Sequence, residues 1–297
     1  MKPAARSESA NDHRVRPVLL PFATGVLLAA VLYGTLRWWG FLILFPWVGL
    51  ALSTGMYLRR TLQGRRRLLG RKIALLMILP SLLFFVPIAN NENFQLEGVA
   101  LIVLVGFFNK GFIHYLIAKI LGPLIWRRGF CGYACWTAAV LDWLPIRNRA
   151  QDLPRRYRRW RYLALALSIL VPAYSVWVLS YDPFADYINR REMVWMFVSN
   201  GIYYALAIPL AFVLKDRRAF CKYICPVSLV MIPGARVGLL KIRPQPSATC
   251  TSCAACNRVC PMGVDVMGCM ERNIPVTDAE CILCNDCKIV CPSHKLA

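Results

Sequence analysis

The chain has 297 residues, 58% of them apolar and 17% charged, with a mean hydropathy of +0.47, which excludes disorder and is too apolar for an ordinary water-soluble domain. Lys and Arg total 36 against 15 Asp and Glu, a net charge of +21, yet these cations fall in short blocks between apolar runs. That pattern points to membrane topology and away from a nucleic-acid partner; with this length and these runs, 13 cysteines do not make a small disulfide scaffold.

In chain order, residues 1–16 form a polar tail and the first apolar run spans Pro17 to Leu36, inside the roughly 17–25 residues that cross a bilayer. Arg37-Trp38-Trp39-Gly40 leads into a second run, Phe41 to Leu58, predicting a helical hairpin with interfacial tryptophans. The stretch Arg59 to Lys72 is strongly basic and holds no acid. A third run, Ile73 to Ala89, gives way to a polar stretch with Glu92 and Glu97. A fourth extends from about Val99 to Trp126, a fifth from Tyr162 to Ser180 and a sixth from Met193 to Leu214. Basic blocks precede run one and follow runs two, four and six. The positive-inside rule therefore predicts six spans in residues 17–214 with both termini cytoplasmic, in the inner membrane and its lipid. Residues 215–248 read as a membrane-edge segment and linker, and residues 249–297 as a small cytoplasmic domain.

That domain holds Cys250, Cys253, Cys256 and Cys260-Pro261, then Cys281, Cys284, Cys287 and Cys291-Pro292. Both runs read C-x2-C-x2-C-x3-C-P, the run that holds [4Fe–4S] clusters in bacterial ferredoxins. Three closely spaced thiolates wrap one cubane, with peptide N–H groups turned toward the sulfurs. The fourth cysteine reaches the other cluster. One cluster is expected on Cys250, Cys253, Cys256 and Cys291, and the second on Cys281, Cys284, Cys287 and Cys260. The competing reading is a pair of four-thiolate zinc sites. Cys269 stands between the runs as a small buried side chain.

The remaining cysteines form an internal repeat. Arg127-Arg128-Gly129-Phe130-Cys131-Gly132-Tyr133-Ala134-Cys135-Trp136 and Arg217-Arg218-Ala219-Phe220-Cys221-Lys222-Tyr223-Ile224-Cys225-Pro226 share R-R-x-F-C-x-Y-x-C. Each copy follows an outward-to-inward span, so both emerge on the cytoplasmic face. Cysteines four apart on a helix point the same way, so Cys131, Cys135, Cys221 and Cys225 are expected to hold a further cluster or metal; redox thiols and inert packing are the alternatives. The double arginines read as headgroup anchors.

The tail from about Thr249 to Ser293 resembles the dicluster ferredoxins, which implies two short helices, two small hairpins and one-electron transfer. With the spans and both C-x3-C pairs, the chain from Ile73 to Pro292 resembles the NapH/NosR-type membrane polyferredoxins. Cys221-x3-Cys225-Pro226 matches their pattern, whereas Cys135 is followed by Trp136 in place of proline. The fold class expected is mainly α: a six-span transmembrane helical domain followed by a small α+β dicluster ferredoxin-like domain.

The resemblance implies a membrane-bound electron-transfer protein. It would relay electrons between cytoplasmic [4Fe–4S] clusters and a redox partner protein or the quinone pool, as a quinol-linked oxidoreductase component. The alternative is an accessory factor that uses the same clusters for metalloenzyme assembly or metal reduction. Charged groups inside a span default to function. Lys110 and His114, with Asn109 beside them, are therefore candidates for a quinone site, while Lys119 reads as snorkelling to the interface. An axial haem role for His114 is weaker, because its only companions are His13 and His294 outside the spans.

Overall fold

The computed structural model describes residues 6–106, 110–146, 153–183, 185, 190–293, 295 and 296, with the backbone alone for residues 6–17, 110, 111 and 155. Asn109 and His294 lie outside the described residues, as do the side chains of His13 and Lys110. The chain divides into two compact units, Met1–Ala89 and Asn90–Ala297.

In the first unit, α1 (Arg6–Leu36) and α2 (Phe41–Thr61) form the expected hairpin, and α3 (Leu69–Pro80) packs on α2. The buried face of α2 carries Gly49, Ala51, Ser53 and Gly55, small residues that let apolar helices approach closely. A π-turn over Ser81–Phe85 joins α3 to α4 (Val86–Asn90). Three segments here, Val18–Leu36, Phe41–Thr61 and Gly64–Asn90, are long and apolar enough to cross a membrane. The 19 residues of the first rise about 28 Å, close to the hydrocarbon thickness.

In the second unit the fourth apolar run is broken. Helix α5 (Leu96–Val105) ends at Gly106, whose φ of 75° is the left-handed cap a side chain resists. The run resumes as α6 (Lys110–Tyr115), a π-turn over Leu116–Leu121 and α7 (Gly122–Trp126). The polar stretch before α5 does not behave as a solvated loop, because Asn93 and Gln95 are buried. Gln95 Nε2 donates to Asn200 Oδ1 at 2.7 Å, and the Asn93 side chain accepts from the Gln95 peptide at 2.9 Å. Irregular backbone between apolar helices is stable when buried in protein with its polar groups bonded.

The unit continues with α8 (Gly129–Tyr133), α9 (Trp136–Leu141), α10 (Trp160–Trp177) and α11 (Arg190–Val213). Of these, α11 is a fourth candidate membrane helix; α10 packs on α5 and α11 on α9. Then come α12 (Ala219–Tyr223), α13 (Pro226–Val237), α14 (Ala255–Val259), α15 (Val266–Glu271) and α16 (Asp286–Val290). Against the α+β expectation for the tail, no strand forms among the described residues. Its two short ferredoxin helices are α14 and α16, but in place of hairpins there is an isolated antiparallel bridge between Pro244 and Leu296. The chain there is occupied with loops that carry cysteines, whose backbone turns too sharply to lie in a ladder.

Candidate iron–sulfur centres

The two ferredoxin runs fold alike. In each, the residues on either side of the second cysteine are left-handed: Ser252 and Ala254 at φ 50° and 54°, Leu283 and Asn285 at φ 50° and 60°. Such non-glycine residues are strained and persist where a site requires them. Their effect is to turn successive peptide N–H groups inward, the concave arrangement that binds anions. The Ala255 peptide is directed at Cys253, the Leu283 peptide at Cys281, and the Val264 peptide donates to Cys260 Sγ at 3.4 Å. The third cysteine, Cys256 or Cys287, opens the following helix, and the fourth caps it in extended geometry, Cys260 at ψ 114° and Cys291 at ψ 113°.

Because the two runs lie side by side, the fourth cysteine of one meets the first three of the other. Cys250, Cys253, Cys256 and Cys291 line one small cavity. Cys260 lies within electrostatic reach of Cys281 and Cys287, and Cys284 is buried in the same apolar core. Cys253 is exposed, so the first group opens to solvent, whereas Cys284 and Cys287 are buried. Cys269 sits apart on α15, beside Arg272.

The C-x3-C repeat also folds alike in its two copies, though not as two cysteines on one helix. Cys131 and Cys221 lie within α8 and α12, while Cys135 and Cys225 stand outside helical geometry, at ψ 118° and 114°, immediately before α9 and α13. The chain doubles back between them: the Cys135 peptide donates to the Phe130 carbonyl at 3.0 Å and the Cys225 peptide to Phe220 at 2.9 Å. In each copy a peptide of the next helix, Ala138 or Ser228, is directed at the second cysteine. All four sulfurs interact with one another across the repeat. Gathering them in apolar space has a cost. Burial, followed by the neighbouring sulfurs, pushes Cys135 up to about 12, and Cys221 and Cys225 move the same way.

Cations surround this group. Arg128 and Arg218 are 1% and 0% exposed, so they are not headgroup anchors. The Arg218 guanidinium donates to Asp142 through Nε and Nη2 at 2.8 and 2.7 Å, and to the Cys131 carbonyl at 3.3 Å. Arg128 pairs with Glu280, and Arg161 donates to Glu280 at 2.6 Å and to the Cys221 carbonyl at 3.0 Å. Burial alone would raise the Glu280 carboxyl, but Arg128, Arg161 and Arg158 overcome it and hold it at about 2. Lys119 does not snorkel. It is buried, donates to the Phe94 carbonyl at 2.7 Å, lies over the Tyr115, Phe130 and Trp136 rings, and is within electrostatic reach of Cys131, Cys135 and Cys225.

Trp136 accounts for the missing proline. Pro226 suits the first position of α13, where no N–H is needed. Its counterpart instead uses an indole to donate to Asn200 Oδ1 at 2.6 Å and to pack edge-on against Phe94 and Phe130.

The second ferredoxin loop lies directly on the first copy of the repeat. A Cβ on Gly132 would stand 2.4 Å from the Ile282 carbonyl oxygen, so only glycine allows this approach. The Tyr133 hydroxyl donates to the Cys284 carbonyl at 3.2 Å, and Arg127 donates to the Thr277 and Asp278 carbonyls at 2.8 and 2.5 Å. All the cysteines except Cys135 and Cys253 belong to or pack against one apolar core. Among the described residues no three His, Cys, Asp or Glu side chains are close enough to hold one metal ion. The all-sulfur donor sets, with peptide N–H groups directed at Cys253, Cys281 and Cys135, have the chemistry that suits an iron–sulfur cluster.

His114 lies against the Phe94 ring, 5.1 Å between centroids, and its Nε2 is buried with no hydrogen-bond partner. Residues that sequence reading did not single out gather elsewhere. Glu97, Ser168 and Tyr203 line a cavity between α10 and α11, and Asp142 and Glu280 are the acids that hold the arginines. An acid beside a cysteine run was a signal available for Glu280; none marked the cavity.

The chain matches the family described as "4Fe-4S binding domain" at residues 115–154 and 201–243, one segment around each C-x3-C pair. It is 28% identical to the protein NirI of Paracoccus denitrificans over 256 residues, 76% of this chain and 35% of that one. It is 28% identical over 138 residues to the methylamine utilization ferredoxin-type protein MauN of Methylobacillus flagellatus, 45% of this chain and 48% of that one. With the ferredoxin-type protein NapH of Escherichia coli it shares 26% identity over 192 residues, 59% of this chain and 63% of that one. The chain thus spans about a third of NirI and about half of MauN. No solved structure matches it.

Proposed function

We propose, for a chain that carries a 4Fe-4S binding domain and is related to ferredoxin-type proteins, that it is a membrane-bound electron relay. It works between cytoplasmic [4Fe–4S] clusters and a membrane redox partner or the quinone pool. Cys250, Cys253, Cys256 and Cys291 hold one cluster, and Cys281, Cys284, Cys287 and Cys260 the second. Cys131, Cys135, Cys221 and Cys225 hold a third. One-electron oxidation and reduction near physiological potentials is the chemistry such clusters supply when bound.

The protein's own residues fix where that chemistry happens. Ser252, Ala254, Leu283 and Asn285 turn peptide N–H groups toward the tail sulfurs. Arg128, Arg218 and Lys119 supply positive charge around the repeat sulfurs, as buried anionic groups require. Gly132 and Tyr133 press the two sites together. The observation that carries this reading is that cysteines of all three groups share one apolar core, with the solvent-facing end at Cys253. The basic blocks orient that core toward the cytoplasm of the inner membrane. Six crossings follow if the broken run α5–α7 and the helix α10 each complete one alongside the four long helices.

Anaerobically purified protein should carry about twelve iron and twelve acid-labile sulfide, four of each per cubane. Cys221→Ser should remove about four of each and leave the tail signals intact in electron paramagnetic resonance. Zinc without sulfide would overturn the relay, and about eight iron would confine the clusters to the tail.

A further inference from the structure

Between α10, α11 and the second copy of the repeat lies a cavity of about 200 Å³, somewhat larger than the roughly 150 Å³ that admits a benzene ring. Its rim is apolar: Leu167, Val198, Ile202 and Leu206 are each about half exposed, on the outer surface that lipid covers in a membrane-spanning chain. At its inner end stand three polar side chains from three helices. Glu97, 8% exposed, accepts through Oε1 from the Ser168 hydroxyl at 2.7 Å and the Tyr203 hydroxyl at 2.8 Å. Its other oxygen, Oε2, is buried with no partner. A buried carboxylate oxygen without a donor is costly, and native structures keep one where a ligand or water completes it. Water is poorly served here: apart from the Trp195 indole and Ser199, whose hydroxyl already donates to the Trp195 and Met196 carbonyls, the rest of the lining is hydrocarbon, and a buried water needs two to four polar partners. On the far wall Phe220, Ile224 and Pro226 flank Cys221 and Cys225 in sequence.

We propose that this cavity binds the ring of a lipid-soluble hydroquinone, whose hydroxyl donates to Glu97 Oε2 while its apolar tail leaves between α10 and α11 into the lipid. The proposal rests on the relay function and deepens it by giving the membrane substrate a seat. The chemistry of the occupant is set on three sides. It enters from lipid, it is flat and about one ring in size, and it carries a donor on an otherwise apolar frame. A carboxyl suits both oxidation states of such a ring: ionised, it accepts from the hydroquinone hydroxyl, and protonated, it donates to the quinone carbonyl. Ser168 and Tyr203 are positioning residues that hold Oε1 and leave Oε2 as the oxygen without a partner. His114, the sequence candidate for this role, is not among the lining residues.

The test titrates 2-heptyl-4-hydroxyquinoline N-oxide, a fluorescent hydroquinone mimic, against the full chain in nanodiscs and follows quenching of its emission. Decylubiquinone is the competitor. We expect one saturable site per chain, weakened about tenfold or more in Glu97→Ala, where the hydrogen bond to the carboxyl is lost, and abolished in Ile202→Trp, which fills the opening. Tyr203→Phe keeps the shape and should weaken binding less. Iron and sulfide content, compared with the unsubstituted chain, reports whether each variant is folded. If Glu97→Ala does not fold, Ser168→Ala and Ile202→Trp decide. Absence of quenching, equal affinity in these variants, or displacement by added phospholipid as readily as by decylubiquinone overturns the proposal. Because binding is read without turnover, a chain that holds reducible clusters but binds no mimic sinks the cavity assignment alone. A chain without clusters sinks the relay.

Discussion

The ferredoxin tail and the C-x3-C repeat both gather cysteines, and they differ in what surrounds the sulfurs. In the tail the backbone does the work, with left-handed residues at Ser252, Ala254, Leu283 and Asn285 turning peptide dipoles onto sulfurs only a few residues away. In the repeat the residues between the cysteines keep negative φ, Ala134 at −128° and Ile224 at −122°. There the compensating charge arrives on long side chains from distant segments: Arg128, Arg218 and Lys119, themselves held by Glu280, Asp142 and the Phe94 carbonyl. A group open to solvent, as at Cys253, can rely on weak dipoles. The buried repeat needs full charges, and each of those needs its own partner.

The largest test of that contrast is Glu280, an acid of the tail that serves the repeat. It pairs with Arg128 and Arg161, with Arg158 at 3.7 Å. Glu280→Ala leaves buried guanidiniums uncompensated and should lower stability by about 3–5 kcal/mol, read as a lower midpoint in thermal unfolding of the holo-protein in detergent. If the loss is below about 1 kcal/mol, the value of an exposed pair, the charges are solvated and the repeat is not the dry site described. A mid-sized effect is expected at Gly132. Gly132→Ala drives a methyl against the Ile282 carbonyl and should cost about 1–3 kcal/mol, as overpacking does. It should also perturb the resonance of the second tail cluster and leave the first unchanged. Equal perturbation of both would mean that the second loop does not rest on the repeat. Tyr133→Phe removes a single hydrogen bond to the Cys284 carbonyl, worth about 1 kcal/mol, and should shift the same signal without loss of iron.

The contrast also explains what could be read from the residues alone. The tail was legible because its chemistry is short-range: C-x2-C-x2-C-x3-C-P states which thiolates share a loop, and the duplicated left-handed positions follow from that loop. The repeat was legible as a repeat, but its geometry was not. Helical spacing suggested two cysteines on one face, whereas the chain breaks between them, at Ala134 and Ile224, so that each second cysteine starts a new helix. Buried arginines look like anchoring arginines in a sequence, since their acids lie 76 and 152 positions away. The break in the fourth run at Gly106 and the inward folding of Asn93 and Gln95 depend in the same way on partners such as Asn200, 105 positions along. The first three apolar runs and the sixth needed no such partners, and they fold as long helices.

The smallest expected effect probes the backbone half of the comparison and has a sign that separates two readings of the left-handed residues. Ala254 and Asn285 occupy equivalent places, after the second cysteine of each run, at φ 54° and 60°. Alanine resists this conformation by about 1–2 kcal/mol, while glycine adopts it freely and loses about 0.5–1 kcal/mol through its looser unfolded chain. Ala254→Gly should therefore stabilise the holo-protein by up to about 1 kcal/mol. Asparagine already tolerates the left-handed region through local hydrogen bonding, and Asn285 Nδ2 donates to the Leu283 carbonyl at 3.0 Å. Asn285→Gly should therefore be neutral or slightly destabilising. Opposite outcomes at two matched positions would show that the strain is local to the alanine and is carried for the sake of the inward N–H groups. If both substitutions destabilise equally, the side chains themselves support the runs, and the division between a backbone-built tail and a side-chain-built repeat fails at its tail end.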